Sequence, residues 1–187
     1  MRIMVNMQII SGKKRGLKLY PLSGKNTRPT MTRTKKDIMN IIMNSQLRNY
    51  LVGKNVADLF AGTGNIGLEM ISLGAKQCTF FENDKQTIKT LKQNIKKTGF
   101  ENTLIMNDAT NIAKNQKFDL IYMDAPYNLG LTEKSIDSLI KNKILNKDTL
   151  LIIQVAKDEE IPNIENFVII KEKIMGGGRV VFLTNKS

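Results

Sequence analysis

The sequence predicts a doubly wound α/β fold, in which a mostly parallel seven-stranded sheet carries helices on both faces. Three observations predict it. From Asn55 onward, short apolar runs alternate with amphipathic stretches of 9 to 13 residues, which is typical of parallel strands joined by helical crossovers. The first apolar run leads into a glycine-rich turn at residues 58–67. The last two apolar runs are joined by three glycines at 176–178, which predicts a hairpin that adds an antiparallel edge.

The residues before Asn55 predict a smaller unit that precedes this sheet. Ile38, Ile41 and Ile42 recur at helical spacing, so we expect a helix there. The expected elements are a β-hairpin over residues 8–20 with its turn near 12–14, a helix that begins at a capping Thr30 or Thr32 and runs to about Leu47, and an end to the unit at Gly53. We therefore divide the chain into a basic extension, residues 1–54, and a main domain, residues 55–187.

We expect seven strands and three helices in the main domain. The apolar runs that define the strands are residues 55–60, 77–82, 102–107, 118–123, 149–155, 167–174 and 179–183. The helices are expected at residues 65–73, 85–97 and 132–141. Gly74 and Gly99 follow the first two helices, where glycine commonly ends a helix. In such a sheet a ligand is expected at the carboxyl ends of the central strands.

Composition excludes several kinds of site. The chain has no histidine and one cysteine, Cys78, which excludes Ser-His-Asp and Cys-His catalysis and an intrachain disulfide. Too few soft ligands remain for a structural zinc, and we expect no metal. No run of 18 apolar residues is present, and the first ten residues lack the features of a secretion signal. We therefore expect a cytoplasmic protein that does not enter a membrane.

Positive charge is concentrated in the extension. Residues 1–54 hold 12 Lys or Arg and one acid, whereas residues 55–187 hold 17 Lys or Arg and 16 acids. Abundant lysine alone fits a solvated surface, but five of the six arginines also lie in the extension. This distribution is typical of a surface that binds phosphates. The basic cluster consists of Lys13, Lys14, Arg15, Lys18, Arg28, Arg33, Lys35 and Lys36, with Thr30 among them.

The glycine-rich turn and a later acid indicate a cofactor with a ribose. Residues 58–67 read DLFAGTGNIG and carry glycines at 62, 64 and 67. Glycine lets the backbone turn sharply and approach a ligand closely. Glu82 ends the second strand 20 residues after Gly62, where a carboxylate can accept the hydrogen bonds of both ribose hydroxyls. The alternatives are a tight turn that binds nothing and an acid that caps the next helix, a role that Asp84 could also fill.

NAD and S-adenosylmethionine both fit this pattern, and three features favour S-adenosylmethionine. Asp58 stands within the first strand, where NAD sites usually have an apolar residue. Asp108 ends the third strand and can accept a hydrogen bond from an adenine amino group. The fourth strand ends in an acid and an aromatic residue, for which hydride transfer has no evident use. The predicted cofactor-binding residues are Asp58, Ala61, Gly62, Gly64, Glu82, Asp108 and Ala109.

The residues after the fourth strand, Asp124, Ala125, Pro126 and Tyr127, suit methylation of an exocyclic base amine. Such an amine is a poor nucleophile because its lone pair is delocalised into the ring. The Asp124 carboxylate and the Ala125 carbonyl could accept its hydrogens and favour a pyramidal nitrogen. Tyr127 offers a flat face on which a flipped-out base can stack. The alternative is an ordinary loop, in which Pro126 and Tyr127 only turn the chain.

Three segments resemble the bacterial enzymes that methylate the N2 amine of a guanine in small-subunit (16S) ribosomal RNA. The segments are IISGKKRGLKL at 9–19, RPTMTR at 28–33 and DLFAGTGNIGLEMISLGA at 58–75. The resemblance implies a Rossmann-like, class I S-adenosylmethionine-dependent methyltransferase fold. It implies that Gly62, Gly64 and Glu82 hold the methionine and ribose parts of the cofactor, that Asp108 meets the adenine, and that Asp124, the Ala125 carbonyl and Tyr127 hold the guanine amine. The residues expected at the RNA are Lys14, Arg15, Arg28, Thr30 and Arg33.

The chain departs from the family pattern at three positions. Ala125 replaces the first proline of Asp-Pro-Pro-Tyr or Asp-Pro-Pro-Phe, which removes a φ constraint worth about 0.4–1 kcal/mol. Thr32 and Lys36 stand where the family has acids. The expected partner is ribosomal RNA or the small ribosomal subunit, bound by a monomer. The alternatives are a DNA methyltransferase acting on adenine N6 or cytosine N4, which the lack of a separate target-recognition domain argues against, and an RNA-binding assembly factor that has lost catalysis.

Overall fold

The computed structural model describes residues 7–22, 29–175 and 177–186, and its centre is one seven-stranded sheet. The strands are β1 Asn55–Leu59, β2 Gln77–Phe81, β3 Thr103–Met106, β4 Leu120–Met123, β5 Leu150–Ala156, β6 Phe167–Met175 and β7 Gly178–Asn185. They lie in the order β3-β2-β1-β4-β5-β7-β6. The first five strands pair in parallel, and β7 is antiparallel to both β5 and β6. The predicted fold class and the terminal hairpin are confirmed.

Helices cover both faces of the sheet, because strand side chains alternate between two apolar clusters. The helices are α1 Pro29–Met43, α2 Asn65–Ser72, α3 Lys85–Thr98 and α4 Leu131–Lys141, with short 3-10 helices at Gly12–Lys14 and Gln46–Tyr50. One cluster joins Ile38 of α1, Leu68 of α2 and Leu91 of α3 to the sheet. The other contains Ile136 and Leu139 of α4. In the described part of the chain, no helix is both long and apolar enough to cross a bilayer.

Helix α1 differs from the prediction at both ends. It includes Pro29, so the expected cap at Thr30 or Thr32 was wrong; the fixed φ of proline suits the first turn of a helix. It ends at Met43 rather than near Leu47. The reason lies in Ser45, whose hydroxyl donates to the Ile41 carbonyl at 2.8 Å and accepts from the Leu47 amide at 3.2 Å. That arrangement starts the 3-10 helix Gln46–Tyr50.

The hairpin of the extension packs along α2. One antiparallel bridge, Gln8 with Lys18, holds its two arms together. Its tip, Gly12–Lys14, lies against the last turn of α2, where the Ser72 hydroxyl donates to the Ser11 carbonyl. Gly12 has a φ of +74°, and a Cβ at this position would fall 1.9 Å from the Ser72 carbonyl oxygen. Only glycine permits this close approach.

Candidate active site

The carboxyl ends of four neighbouring parallel strands form one edge, and the predicted site residues follow them. The glycine turn follows β1, Glu82 follows β2, Asp108 follows the end of β3 by two residues, and Asp124 follows β4. Because β1 pairs with both β2 and β4, the turn lies between Glu82 and Asp124. This edge is where a doubly wound sheet binds its ligand.

The backbone of the glycine turn is held against β2. The Ala61 amide donates to the Phe81 carbonyl at 2.9 Å, and the Gly64 amide donates to the Ala61 carbonyl at 2.9 Å. Gly64 has a φ of +82°, and a Cβ there would fall 2.5 Å from the Leu91 side chain. Gly62, with a φ of +57°, has no atom within 4 Å of the position of a Cβ. The turn is therefore rigid on its inner side and open above Gly62.

Glu82 anchors this turn through backbone donors. Its Oε2 accepts a hydrogen bond from the Gly62 amide at 2.9 Å, and its Oε1 accepts from the amides of Asn83 and Asp84, both at 2.9 Å. The cap of α3 is Asp84, which accepts from the Thr87 amide at 2.7 Å. A carboxylate has about four acceptor directions, so Oε2 retains capacity for a ribose hydroxyl.

Asp58 braces the other end of the turn from within the core. Its side chain is buried, and its Oδ2 accepts from the Gly67 amide in the first turn of α2 at 2.7 Å. Burial raises the pKa of Asp58 to about 7; the Gly67 amide opposes this shift, and the carboxylates of Asp124 and Glu82 add to it. Asp58 thus supports the predicted cofactor loop, and its charge depends on its two acidic neighbours.

Asp108 and Ala109 follow β3 in different environments. Asp108 is exposed, and its Oδ1 accepts from the amide and hydroxyl of Thr110 at 2.8 and 2.7 Å. Ala109 is buried in the apolar cluster on the α4 face. The two hydrogen bonds from Thr110 hold one carboxylate oxygen of Asp108 beside the carboxyl end of β3.

The loop after β4 places a half-buried acceptor beside an exposed aromatic ring. The Asp124 amide contacts the Leu59 carbonyl of β1 at 3.5 Å, and burial raises the pKa of its carboxyl to about 7. Ala125 is buried, while Pro126 is exposed and Tyr127 is 40% exposed. The loop therefore brings together the carboxyl of Asp124, the buried Ala125 and the exposed side chain of Tyr127.

One residue beside this loop was not predicted from the sequence, Gln154 on β5. Its Nε2 donates to the Tyr127 hydroxyl at 3.2 Å, and its Oε1 accepts from the Tyr122 hydroxyl at 3.0 Å. A glutamine inside the apolar run TLLIIQV was the available signal, because a polar side chain in such a run needs a partner.

The predicted RNA-binding residues are spread over the extension. Lys14 and Arg15 are exposed at the hairpin tip, beside the last turn of α2. This tip is about 10 Å from the glycine turn along α2, at 1.5 Å per residue. Arg33 is exposed on α1, and Thr30 belongs to the same helix. Arg28 lies outside the described residues. The structure does not bring Lys14 and Arg15 to the edge that holds Asp124.

Lys35, expected in the basic cluster, is instead buried. Its ammonium pairs with Glu69 at 2.9 Å and donates to the Gln8 carbonyl at 2.7 Å and to Asn65 Oδ1 at 2.8 Å. Burial lowers the pKa of Lys35, and Glu69 offsets part of that shift. Glu69 also accepts from the amides of Ile10 and Ser11. This lysine therefore joins α1, α2 and the hairpin, and it does not contribute to an RNA surface.

Comparisons with known proteins agree with the fold and with the family resemblance. The family model described as conserved hypothetical protein 95 matches residues 7–184. Ribosomal RNA small subunit methyltransferase D of Haemophilus influenzae is 33% identical over 177 residues, which are 91% of this chain and 89% of that protein. The protein of the same name from Escherichia coli K12 is 28% identical over 174 residues, 91% of this chain and 85% of that protein.

Solved structures of candidate methyltransferases also share the fold of this chain. That of yhhF from Escherichia coli, a candidate methyltransferase, has a TM-score of 0.82 and 26% identity, and covers 97% of this chain and 99% of that chain. A candidate methylase of Haemophilus influenzae, HI0767, has a TM-score of 0.78 and 29% identity over 97% of this chain and 99% of that chain. The resemblance predicted from the sequence is confirmed, and the chain belongs to the family described as conserved hypothetical protein 95.

Proposed function

We propose that this protein transfers a methyl group from S-adenosylmethionine to the N2 amine of a guanine in small-subunit ribosomal RNA. The observation that carries the proposal is the juxtaposition of Asp124 and an exposed Tyr127 with the glycine turn, at one edge of the sheet. The names of the relatives, ribosomal RNA small subunit methyltransferases, support the reaction and the class of substrate. The choice of guanine N2 rests on the resemblance of the three sequence segments.

The charge of the edge supports S-adenosylmethionine over NAD. Asp58, Glu82 and Asp124 lie close enough for the last two to raise the pKa of the first. Three carboxyls suit a cofactor that carries a sulfonium and an ammonium group, and they disfavour a dinucleotide with two phosphates. The open space above Gly62 leaves room for a ligand against the backbone. Within the described ranges, no cluster of acidic and cysteine residues is able to hold a metal ion.

Different residues of the chain would contact different parts of the cofactor. Gly62 and Gly64 would lie against its methionine part, Glu82 would accept from its ribose, and Asp108 from its adenine amine. Ala61 and Ala109, which are small and buried, would lie beside the cofactor. When bound, the cofactor supplies an electrophilic methyl group, so the protein's task is alignment.

Asp124, Ala125 and Tyr127 would align the amine. The ionised Asp124 carboxylate and the Ala125 carbonyl accept its two hydrogens, which directs the nitrogen lone pair toward the methyl group. The proton becomes acidic once nitrogen is alkylated, so Asp124 needs no strongly basic pKa. The exposed ring of Tyr127 stacks on the flipped-out base, and Ala125 is buried two residues before it.

The basic extension would hold the RNA backbone. Lys14, Arg15 and Arg33 are exposed cations in a segment with a large positive excess, and Arg28 and Thr30 belong to the same sequence cluster. We infer that residues 1–54 act as the RNA-contacting unit, and that residues 55–187 bind the cofactor. We further infer that the protein acts in the cytoplasm as a monomer, without a metal.

The roles at this edge are tested by replacing Asp124 with Ala. Methyl transfer to RNA should fall at least 100-fold, on the order of the loss that follows removal of one charge-stabilising group, while the Kd for S-adenosylmethionine stays within about threefold of wild type. Asp137→Ala, on the exposed face of α4, is the matched control and should retain both properties. Equal loss of turnover and cofactor binding would contradict the role of Asp124.

A further inference from the structure

A chain of hydrogen bonds connects the sheet to the aromatic ring of the catalytic loop. The Tyr122 hydroxyl on β4 donates to Gln154 Oε1 on β5 at 3.0 Å. Gln154 Nε2 then donates to the Tyr127 hydroxyl at 3.2 Å. Both strands lie at the centre of the sheet and pair with each other, whereas Tyr127 stands on a loop. The side chain of Tyr127 is therefore hydrogen-bonded to Gln154, which belongs to the sheet.

The buried end of this chain is a hydroxyl that stays protonated. Burial raises the pKa of Tyr122 well above its usual value, with further contributions from Asp124, Asp58 and Tyr127, so its hydroxyl keeps its proton. This hydroxyl donates to the amide oxygen of Gln154, and the amide nitrogen of Gln154 donates to the Tyr127 hydroxyl. The side chain of Gln154 is therefore hydrogen-bonded at both of its polar atoms, which holds it in one place between the two tyrosines.

The backbone of the terminal hairpin encloses the same hydroxyl. Gly178 begins β7 and pairs with Ala156 at the end of β5. A Cβ on Gly178 would fall 3.0 Å from the Tyr127 hydroxyl and 2.5 Å from the Val155 carbonyl oxygen. The hydroxyl oxygen of Tyr127 thus lies against β5 and β7. Tyr127 as a whole is nevertheless 40% exposed. A tyrosine held at its tip presents its ring in one orientation.

We propose that Gln154 is a positioning residue that holds Tyr127 through its hydroxyl, so that the exposed ring offers a fixed face to the target base. This inference rests on the proposed function, because stacking on a base is the role assigned to Tyr127. Gln154 itself does not touch the reacting atoms. A fixed ring reduces the entropy that is lost when the base stacks, so the benefit appears in the use of RNA and not in cofactor binding.

The first test is a double-mutant cycle on methyl transfer. Gln154→Leu and Tyr127→Phe should each lower kcat/KM for RNA about three- to tenfold, the range expected for one neutral hydrogen bond. The double variant should be no worse than the poorer single variant, because the Gln154–Tyr127 contact is already absent from each single variant. The Kd for S-adenosylmethionine should not change. Gln93→Leu, at an exposed position of α3, is the matched control.

The second test does not depend on activity. The chain has four tyrosines, so 3-fluorotyrosine labelling gives a small set of fluorine signals, and Tyr127→Phe assigns the one of interest. Gln154→Leu should shift or broaden this signal, whereas Gln93→Leu should leave it unchanged.

The outcomes separate the two proposals. Additive losses in the cycle, or an unchanged Tyr127 signal in Gln154→Leu, would overturn the role of Gln154. A wild-type protein that transfers no methyl group to RNA would overturn the proposed function, and the fluorine spectrum would still decide whether Gln154 fixes the ring.

Discussion

Asp124 has the most demanding role of any single residue, because its ionised carboxyl is a much stronger acceptor for a hydrogen of the target amine than its protonated form. Burial raises its pKa to about 7, and burial raises that of Asp58 to about 7 as well. The two groups interact, so their protons leave in steps that belong to the pair. The charge of the site therefore changes near neutral pH.

Methyl transfer should consequently depend on pH. We expect kcat/KM, which reports the groups of the free enzyme, to rise about tenfold per unit below an apparent pKa near 7 and to level off above it. The Asp58→Asn variant should show a single titration in the same profile, because one member of the pair is gone. A rate that does not change between pH 6 and pH 8 would show that Asp124 is not needed as a carboxylate.

Asp58 should also make stability depend on pH. A carboxyl whose pKa is raised on folding stabilises the protein when it is protonated, and this contribution is lost as pH rises toward 7. Asp58→Asn keeps an acceptor for the Gly67 amide and cannot ionise. Its free energy of unfolding, relative to wild type, should therefore increase by roughly 2–3 kcal/mol from pH 5 to pH 8, at 1.36 kcal/mol per pH unit. Urea unfolding at both pH values measures this.

The control is Asp137→Asn, whose side chain is exposed on α4. It should show the same difference from wild type at pH 5 and at pH 8. If Asp58→Asn behaved in the same way, the ionisation of Asp58 would not be linked to folding.

At the scale of elements, α2 connects the extension to the cofactor turn. Its first turn is held by Asp58, its middle by Lys35 of α1 through Glu69, and its end by the hairpin tip through Ser72. Lys35 also reaches Asn65, the first residue of the helix. A change at the ion pair therefore affects both the extension and the glycine turn.

Breaking the ion pair should be costly. Lys35→Met leaves the Glu69 charge buried without its cation, and the free energy of unfolding should fall by about 3–5 kcal/mol. Adding Glu69→Gln removes the charge and keeps an acceptor for the Ile10 and Ser11 amides, so the double variant should recover part of the loss. Urea denaturation of both variants measures the two values. A cost below about 1 kcal/mol for Lys35→Met would mean that the pair is accessible to water.

Periodic patterns in the sequence predicted the helices and strands well, but they did not predict the side-chain contacts between residues far apart in the sequence. The alternation of apolar runs and helical stretches follows from burial on both faces of the sheet, which any seven-stranded doubly wound sheet requires. The partner of Lys35 is 34 residues away, and no local pattern reports such a contact. The same holds for Gln154 and Tyr127, which are 27 residues apart. The site acids were predictable because strand ends share an edge, whereas the end of α1 depended on one serine hydroxyl.

At the scale of the whole molecule, the basic hairpin tip and the proposed catalytic residues lie at different ends of the sheet. The hairpin tip lies near the amino ends of the strands, because α2 runs back from the glycine turn to reach it. Asp124 lies at the carboxyl ends. An RNA that contacts both must extend along the side of the molecule.

Removing the cations of the tip should weaken RNA binding without affecting the cofactor. The double variant Lys14→Ala, Arg15→Ala should bind ribosomal RNA less tightly and reduce the slope of log K against log salt by roughly 1–2. The matched control is Lys171→Ala, Lys173→Ala, on the exposed surface of β6. An unchanged slope would exclude the tip from the RNA surface.

The most direct test of the proposed function is transfer of a labelled methyl group to unmodified small ribosomal subunits and to their protein-free RNA, with Asp124→Ala alongside. The proposal predicts label in the N2 amine of a guanine with the wild-type protein and none with the variant. Label in neither substrate, from a protein that binds S-adenosylmethionine, would contradict the proposal and indicate another nucleic acid or a binding protein without catalysis.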